Sequence, residues 1–394
     1  MTPITATADL ERFCERLRGR PFVAVDTEFM RESTYWPKLC LIQAAASDDL
    51  AAAIDPLAPG LDLEPFLAVM RDESIEKVFH AARQDIEILY NLGAVPRPLF
   101  DTQVAGMAVG FPEQVAYDVL VMQLLRVEID KSSRFTDWSR RPLSDAQLTY
   151  ALADVTHLAA VYPMLRTRLE QAGRLAWVEE EMAALLDPKL YDTDPEKAWR
   201  RLKPRRHSGR YLCVMRRLAA WRERTAQTRD QPRGRVMKDD AIDELATQAP
   251  LDLDTLERLR SLPKGFAGSK FAPEVLDAVR EGLKDAEHFT PEPKRPAKAP
   301  GPPIGPVVEL LKVLLKARAE EARVASKLIA TVSDLEKIAA DDEADTAALH
   351  GWRREAFGED AVKLKRGELA LVLDEARVRV VEVRRRPRAS EEGS

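Results

Sequence analysis

The sequence predicts an α/β domain followed by two small all-α domains, and three observations lead to that prediction. Roughly the first 190 residues alternate β-branched, apolar strand patterns with helical patterns. After Lys189, helical periodicity dominates and strand-like alternation is absent until the last few residues. A proline-rich run without large apolar residues, 290–303, separates two helical regions. With 394 residues, the chain is long enough for two or three domains.

The N-terminal domain is predicted to span 1–190 and to contain a sheet with helices around it. Apolar, β-branched runs predict its strands, and period-3.6 patterns predict its helices. Strands are expected at 22–29, 39–46, 50–55 and 77–80, with a short apolar segment at 99–100. Helices are expected at 62–71, 85–91, 101–109 and 144–172, the last with Ser144 as its N-cap.

Two helical domains are predicted behind it, at 207–289 and 304–384. The first contains helical patterns at 210–229, 239–247, 253–260 and 273–283. Its first helix spaces Leu212, Met215, Leu218 and Trp221 for burial on one face. The segment between the two domains, 290–303, is predicted to be an exposed, semi-rigid linker. The last residues, 385–394, are predicted to be a disordered tail.

Composition excludes several classes of protein. The three cysteines, Cys14, Cys40 and Cys213, are odd in number and widely spaced, which argues against a disulfide framework or a cysteine-based zinc site. The sequence contains no run of about 18 apolar residues, so no membrane span is predicted. The mixed, charged N-terminus lacks the apolar core of a signal peptide. We therefore expect a cytoplasmic protein with reduced thiols, no membrane association and no obligate protein partner, most simply a monomer.

Acidic residues with a distinctive spacing suggest a metal site. Asp26 and Glu28 end the first predicted strand, and residues two apart on a strand face the same side. Carboxylate oxygens are the ligands that hard divalent cations prefer. The alternative is an ordinary polar strand end or a cap for the next element.

Two further elements carry acidic residues that are weak signals on their own. Asp85 opens a predicted helix, where an acid commonly complements the helix dipole. Tyr150 and Asp154 are four residues apart and share a helix face. An amphipathic helix with a half-buried tyrosine and an exposed aspartate explains that pair equally well. The order of all three elements is more informative than any one of them.

That order resembles the DEDD exonuclease superfamily in its tyrosine-containing branch. Four neighbouring blocks are similar, one by one, to the ribonuclease D family: VDTEFMRESTYWPKLCLIQ, FHAARQDIEIL, FDTQVA and TDWSRRPLSDAQLTYALADV. The resemblance covers most of 20–170. It implies a ribonuclease-H-like fold, a mixed sheet flanked by helices, and a 3′→5′ exonuclease that releases nucleoside 5′-monophosphates.

The resemblance also implies roles for the four acidic residues and the tyrosine. Two divalent ions, Mg²⁺ or Mn²⁺, would be held by the four carboxylates. Asp26 would bridge both ions, Glu28 and Asp154 would complete the site on the nucleophile side, and Asp85 would serve the other ion. Tyr150 would orient the attacking water, since a free tyrosine phenol has a pKa of about 10 and is poorly matched to a role as base.

A concentrated basic region predicts nucleic-acid binding despite the net charge of −5. Residues 199–238 contain 14 Lys or Arg and 2 Asp or Glu, whereas solvated faces usually mix both signs. The predicted contacts to nucleic acid are Arg200, Arg201, Lys203, Arg205, Arg206, Arg210, Arg216, Arg217 and, by stacking on a terminal base, Trp138. For Trp138, a loop anchored by its aromatic ring is an equally good interpretation.

The helical domains resemble known nucleic-acid-binding modules. Trp221, the run QPRGRVMKDDAIDELATQAP, and Leu256, Leu259 and Leu262 are similar to the helicase-and-ribonuclease-D C-terminal (HRDC) domain. The segments VASKLIATVSDLEKIA and LHGWRREAFGEDAVKLKRGELAL are similar to the second such domain of ribonuclease D. The implied substrate is RNA with a free 3′ end, including tRNA precursors. A 3′→5′ DNA exonuclease, a non-catalytic RNA-binding module and a helical scaffold are the alternatives.

Overall fold

The computed structural model describes residues 2–130, 133, 136–288 and 304–383. The predicted proline-rich linker, 290–303, and the predicted disordered tail, 385–394, lie outside these residues. All three cysteines are free and buried, as their spacing predicts. Within the described ranges, none of the helices combines the length and apolar character needed to cross a lipid bilayer.

A mixed sheet is the centre of the N-terminal domain, as predicted, and it has a fifth strand where only a short apolar segment, 99–100, was expected. Its strands are β1 (Phe22–Met30), β2 (Lys38–Ser47), β3 (Leu50–Ile54), β4 (Glu76–Phe79) and β5 (Leu99–Asp101). The spatial order is β3-β2-β1-β4-β5, so β1 is the middle strand. It runs antiparallel to β2 and parallel to β4. Val23, Ala24 and Val25 of β1 are completely buried, because both faces of this strand are covered.

Helices flank this sheet. They are α1 (Thr7–Leu17), α2 (Glu64–Arg71), α3 (Arg83–Asn91), α4 (Thr102–Ala108), α5 (Tyr117–Leu125), α6 (Asp145–Ala172) and α7 (Leu175–Leu185). The capping box that starts α6 confirms the predicted N-cap, with the Ser144 hydroxyl accepting from Gln147 N and the Gln147 side chain accepting from Ser144 N. The 28-residue α6 lies across one face of the sheet, where Leu148, Ala151 and Leu152 pack against β2 and β3.

The sequence analysis did not predict α1 and α5. In α1 the signal was present, because Leu10, Phe13, Cys14 and Leu17 recur at helical spacing and are all buried. Charged residues fill the rest of that helix, so the segment looked merely mixed and polar. The short α5 follows a loop, and its nearly continuous apolar run does not by itself distinguish a helix from a strand.

The first helical unit follows the predicted pattern closely. It contains α8 (Gly209–Thr228), α9 (Arg233–Val236), α10 (Asp239–Gln248), α11 (Leu253–Glu257) and α12 (Ala272–Glu287). The long helices α8 and α12 are in close contact at Gly282. A Cβ atom at that position would lie 2.5 Å from the Cα of Val214, so only glycine permits this approach. The apolar residues of α8 that the sequence analysis selected lie in or against this core.

The second helical unit is not all-α, which corrects the prediction. Its helices are α13 (Gly305–Ala322), α14 (Ser326–Ile329), α15 (Val332–Ala340), α16 (Gly351–Arg353) and α17 (Glu359–Lys365). A β-hairpin follows, formed by β6 (Leu369–Asp374) and β7 (Arg377–Glu382). Alternating arginine and valine in β7 and an apolar run in β6 favour strands over a helix. A residue with positive φ, Glu375 at +54°, makes the turn between them.

This second unit shares one continuous hydrophobic core with the N-terminal domain. The rings of Trp177 in α7 and Trp352 in α16 are stacked, with centroids 4.1 Å apart and planes at 9°. Arg353 beside that stack pairs with Glu180 at 2.5 Å and with Glu181. Backbone contacts add to the interface, since Ala325 N donates to Met107 O at 2.9 Å. The second helical unit is therefore packed against the N-terminal domain and is not joined to it by the chain alone.

The first helical unit contacts the N-terminal domain through the loop 31–37, which connects β1 to β2. Tyr35 of this loop lies in the core of the helical unit and is 8% exposed. Its hydroxyl donates to Glu223 at 2.5 Å, and Arg233 donates to the same carboxylate at 2.6 Å. Asp230 accepts hydrogen bonds from the backbone N–H groups of Tyr35 and Trp36, at 3.0 and 2.9 Å. Glu223 is only 1% exposed, so this network is the interior of the interface.

We expect Glu223→Gln to weaken this interface. Burial acts to raise the pKa of Glu223, but hydrogen bonds from Arg233 and Tyr35 outweigh it and hold the pKa below its ordinary value. Because the folded-state pKa is depressed, the carboxylate's stabilising contribution is complete above a pH of about 4.3 and is lost as the pH falls through the folded-state pKa. Urea denaturation at pH 7 should show a loss of about 2 kcal/mol in the variant, below the usual cost of breaking a buried pair because the arginines stay partly exposed. The variant's stability should also fall less steeply with acid.

The matched control is Glu196→Gln, which breaks the exposed pair between Glu196 and Arg224 at 2.8 Å. Because both side chains are about half exposed, the control should lose well under about 1 kcal/mol. Equal losses in the two variants would show that the Glu223 network does not hold the units together.

Candidate active site

Two carboxylates project from the C-terminal half of the central strand, β1. Asp26 and Glu28 alternate with Thr27 along β1, so their side chains lie on the same face of the sheet. The register of β1 on β2 shifts just after Glu28, which marks a β-bulge, and pairing resumes with Phe29 opposite Leu39. The strand patterning therefore delivers both carboxylates to one point, as the sequence predicts.

The long helix α6 brings the third carboxylate and the phenol to the same point. Asp154 is 8% exposed and is one helical turn beyond Tyr150. Oxygen atoms of Asp26, Glu28 and Asp154 all lie within 4.8 Å of one another. Residues more than 120 positions apart are thus brought together by the packing of α6 on the sheet. An all-oxygen group of this kind suits a hard divalent cation.

Asp85 lies beside this group rather than within it. It is in the first turn of α3 and is 7% exposed. The hydroxyl of Thr27, which lies between the two β1 carboxylates in sequence, donates to Asp85 Oδ1 at 2.5 Å. Asp85 is close enough to Asp26 for the two charges to influence each other. Of the predicted site residues, Asp85 is therefore close to Asp26 but is not part of the group formed by Asp26, Glu28 and Asp154.

The electrostatics of the cluster favour binding of a cation. Burial raises the pKa of Asp26 to about 6. The pKa of Asp85 is raised well above its ordinary range, first by burial and then by the negative charge of Asp26. Like charges crowded in a poorly solvated place are costly, and a bound cation would offset that cost.

A cleft of about 320 Å³ opens onto the cluster. Its lining residues are Asp26, His80, Ala81, Gln103, Ala116, Tyr117, Asp118, Ile129, Tyr150, Asp154 and Leu158. The ring of His80 lines this cleft and is held by Thr102 Oγ1 at 2.9 Å and Val115 O at 3.1 Å. Gln103 and Tyr117 were not singled out at all. Gln103 lies within the block FDTQVA, whose resemblance to ribonuclease D was the available signal for it, whereas Tyr117 begins α5, which the sequence pattern did not predict.

Tyr117 supports the helix that carries Asp154. Its hydroxyl donates a hydrogen bond to the backbone carbonyl oxygen of Asp154. Burial, followed by the nearby charges of Asp154 and Asp26, raises the pKa of Tyr117 well above its ordinary value. The hydroxyl therefore stays protonated and remains a donor over the whole physiological pH range.

Asp101 organises the backbone on the opposite side of the cleft. Its carboxylate caps α4 by accepting from Gln103 N at 2.8 Å. The same carboxylate accepts from Ala81 N at 3.0 Å and Ala82 N at 2.8 Å. Ala81 has a φ of +59°, a conformation that costs energy for a residue with a side chain. Asp101 thus holds the strained turn that leads into α3 and Asp85.

Trp138 takes the second of its two predicted roles. Its side chain is 3% exposed and packs with Leu148 and Leu152 of α6. Its ring centroid lies 6.2 Å from that of Tyr150. A ring this deeply buried presents no face to a nucleotide base, so the structure favours anchoring of the loop. The neighbouring Phe135 lies outside the described residues.

The predicted basic contacts divide into two groups. Three arginines have acidic partners: Arg201 with Glu223 at 2.9 Å, Arg205 with Asp240 at 2.9 Å and Arg217 with Asp285 at 2.6 Å. The other five are exposed, and none of them forms an ion pair with a residue that the structure describes: Arg200, Lys203, Arg206, Arg210 and Arg216. Two of the three acidic partners, Asp240 and Asp285, lie outside 199–238, so the count of charged residues in 199–238 did not include them.

Comparison with known proteins defines the class of protein that this fold and site represent. Residues 1–170 match the family model described as 3′-5′ exonuclease. Residues 212–279 match the model of the HRDC domain. The N-terminal domain with its carboxylate cluster is thus a 3′→5′ exonuclease, followed by a helical HRDC domain.

Full-length relatives narrow this class to one family. Ribonuclease D of Nitrobacter hamburgensis is 51% identical over 383 residues, covering 97% of this chain and all of the relative. Ribonuclease D of Granulibacter bethesdensis is 49% identical and covers 96% of each chain. The chain belongs to the ribonuclease D family and is a 3′→5′ exoribonuclease.

A solved structure agrees with this assignment. The crystal structure of Escherichia coli RNase D, described as an exoribonuclease involved in structured RNA processing, superposes with a TM-score of 0.76 at 28% identity. The match covers 93% of this chain and 99% of the Escherichia coli chain. The similarity therefore extends through both helical units and not only the exonuclease domain.

Neutralising one carboxylate should reveal the repulsion within the cluster. In EDTA, we expect Asp154→Asn to melt at a higher temperature than the native protein, because one of three crowded like charges is gone. Adding Mn²⁺ should raise the melting temperature of the native protein and not that of the variant. The measurement is thermal unfolding with and without the metal.

The control is Asp137→Asn, an exposed aspartate paired with Arg140 outside the cleft. It should respond to Mn²⁺ as the native protein does. If Mn²⁺ stabilised Asp154→Asn as strongly as the native protein, Asp154 would not be part of the metal site.

Proposed function

We propose that this exoribonuclease shortens the 3′ ends of tRNA precursors and other stable RNAs with the help of two divalent ions, Mg²⁺ or Mn²⁺. The observation that supports the proposal most directly is the convergence of Asp26, Glu28 and Asp154 within 4.8 Å at a cleft of about 320 Å³. That volume is at the small end of ligand sites, which suits a single terminal nucleotide. The Escherichia coli relative, which acts on structured RNA, supports the choice of substrate.

The residues of the cluster fit the proposed ions. All the donor atoms are carboxylate oxygens, two of them from side chains of the middle strand β1 and one from a side chain of α6. We assign Asp26 to both ions, Glu28 and Asp154 to one of them, and Asp85 to the other. When bound, such ions stabilise charge on the scissile phosphate and make a nearby water more acidic. Without cations the crowded acidic side chains would repel one another, and bound ions would offset that repulsion.

The reaction that these side chains support is hydrolysis of the last phosphodiester. The oxygen of a water molecule attacks the phosphorus, the bond from phosphorus to the 3′ oxygen of the penultimate nucleotide breaks, and that oxygen is protonated. The released product is a nucleoside 5′-monophosphate. We assign Tyr150 the task of orienting the attacking water, since its phenol lies on the cleft wall one turn before Asp154.

The five exposed cations of the first helical unit are the proposed phosphate contacts. They are Arg200, Lys203, Arg206, Arg210 and Arg216, and they lie on the segment that leads into α8 and on α8 itself. Arg201, Arg205 and Arg217 remain proposed contacts only through the part of each side chain that its ion pair leaves exposed. Phosphate binding by such a surface is largely independent of sequence and sensitive to salt.

We interpret the second helical unit as a second HRDC-like domain. Both units begin with a long helix, a four-residue helix and a helix of about ten residues. Each then has a short 3₁₀ turn and a closing helix, with the short helix α11 before the turn in the first unit and α16 after it in the second. In each unit the four-residue helix, α9 or α14, ends at a residue with extended backbone, Met237 or Ala330. The β-hairpin is an addition that the first unit lacks among the described residues.

A cytoplasmic location, a monomeric state and the absence of an obligate protein partner stay predictions. The three free, buried cysteines support a reducing compartment. No structural feature of the described residues bears on the number of copies that associate.

Activity on a defined substrate tests the proposal. Purified protein with Mg²⁺ should shorten a 3′-extended tRNA one nucleotide at a time, and Asp26→Asn/Asp154→Asn should not. Mutation of residues that act as one unit typically costs several orders of magnitude in rate. A DNA oligomer of matching sequence should be degraded more slowly than RNA. RNA binding without shortening by the native protein would instead support a binding module, and faster cleavage of DNA would support a DNA exonuclease.

The basic surface has its own test. Lys203→Glu/Arg206→Glu/Arg210→Glu should weaken RNA binding and reduce the slope of log affinity against log salt by about 2, as expected for three lost contacts to a single strand. The control reverses three charges in the second unit, Lys363→Glu/Lys365→Glu/Arg366→Glu, where Lys365 and Arg366 are paired with Asp342. RNA affinity of that control should be unchanged. Equal losses in both variants would move the phosphate contacts to both units.

A further inference from the structure

A glutamine in the second strand has a buried amide for which the structure provides no partner. Gln43 lies in β2 and is 0% exposed. Neither its Nε2 nor its Oε1 atom forms a hydrogen bond with any residue that the structure describes. Several other buried side chains have one unpaired atom each, but Gln43 has both of its polar atoms unpaired.

The register of the sheet places Gln43 next to the carboxylate cluster. In the antiparallel pair of β1 and β2, Gln43 is directly opposite Asp26. Directly opposed residues point to the same side of a sheet, with Cβ atoms about 4.5–5.5 Å apart. The Gln43 side chain is therefore on the face that carries Asp26 and Glu28 and that α6 covers. On its other side, Gln43 is opposite Ala53 of β3, which is too small to interact with an amide.

Apolar residues make up most of the remaining surroundings. Leu41, Ala53, Leu148 and Ala151 belong to the buried cluster on this face. An unpaired amide among such residues lowers stability, whereas an apolar side chain of the same length would fit without that cost. Gln43 is thus a position where the sequence departs from what stability alone favours, a departure that commonly marks functional sites.

The contrast with other buried polar groups of the same domain supports this interpretation. Lys77 is also 0% exposed, but its ammonium group donates to Ile75 O at 2.7 Å and to the carbonyl oxygens of Asp72 and Arg97. Asp101 is 2% exposed and accepts from several backbone N–H groups. Those two side chains have structural roles that their partners explain. Gln43 lacks such partners. Of its two cross-strand neighbours, Asp26 and Ala53, only Asp26 has a side chain that can accept a hydrogen bond from the amide.

We propose that Gln43 is a positioning residue for Asp26, donating from its amide to the Asp26 carboxylate when a divalent cation is bound. This inference rests on the assignment of Asp26 as a metal ligand under the proposed function. A carboxylate that faces a cation with one oxygen is oriented by a donor on its remaining lone pairs. A neutral amide is well suited to that task. A lysine or arginine in its place would compete with the cation for the charge of Asp26, and an acid would add repulsion.

Gln43→Met tests the proposal, because methionine keeps the length of the side chain and removes the amide. We expect Mn²⁺ binding, measured by titration calorimetry on the full chain, to weaken about 10-fold to 100-fold. In EDTA the melting temperature of the variant should be equal to or higher than that of the native protein, since an unpaired amide has been removed. Weaker metal binding without a loss of stability is the signature that a purely structural glutamine would not produce.

Ile42→Val is the matched control. Ile42 is the adjacent residue of β2, is 0% exposed, and belongs to the core on the opposite face of the sheet. Removing one methylene from a core lowers stability, so its melting temperature in EDTA should fall while its affinity for Mn²⁺ stays native. This control sets the scale for how far a loss of stability alone affects metal binding. If Gln43→Met loses more Mn²⁺ affinity than Ile42→Val does, the proposal is supported even if Gln43→Met is also less stable than the native protein.

Two further outcomes are distinguishable. If native protein and Gln43→Met bind Mn²⁺ equally, Gln43 does not position Asp26 and the inference is overturned, whereas the proposed function stands. If the native protein does not bind Mn²⁺, or Asp26→Asn binds it as tightly as the native protein, the metal assignment itself fails and the inference fails with it.

Discussion

Mutual repulsion among crowded carboxylates is the constraint on which the rest of the N-terminal domain depends. Oxygen atoms of Asp26, Glu28 and Asp154 lie within 4.8 Å of one another, and the pKa of Asp85 is raised first by burial and then by the nearby charge of Asp26. Side chains free to move would separate. Here they cannot, because two of them belong to the middle strand of the sheet and the third to a 28-residue helix packed across it. The hydrophobic core thus stabilises an arrangement that only a cation makes favourable.

The supports around the cluster are polar, and none of them is assigned to the metal. Tyr117 donates to the backbone of Asp154, and Asp101 holds the strained turn at Ala81 that precedes α3. Thr27 donates directly to Asp85. These contacts reach every element that contributes a carboxylate, so that the position of each ligand is determined by more than its own rotamer. Gln43 completes this set if its amide serves Asp26.

The helical units are integrated with the catalytic domain in two different ways. The second unit extends its hydrophobic core and adds the stacked pair Trp177 and Trp352. The first unit surrounds Tyr35 with charged side chains, including the almost fully buried Glu223. Because the loop 31–37 continues directly from the strand that bears Asp26 and Glu28, the unit proposed to bind RNA is connected to the carboxylates by only a few residues. That short connection limits how far the bound RNA and the site can move apart.

The sequence by itself determined four strands of the N-terminal sheet, the long helix α6, the main helices of the first helical unit and, through the family resemblance, the choice of five residues for the candidate site. Periodicity and end signals, such as the capping box at Ser144, act over a few residues and can be read from them. Only the tertiary structure decided that Trp138 is buried, that Arg201, Arg205 and Arg217 have acidic partners, and that the last unit docks on the first domain. It also placed Gln43 opposite Asp26. Each of these depends on contacts between residues far apart in the chain, and local patterns carry no information about which distant surface a side chain will meet.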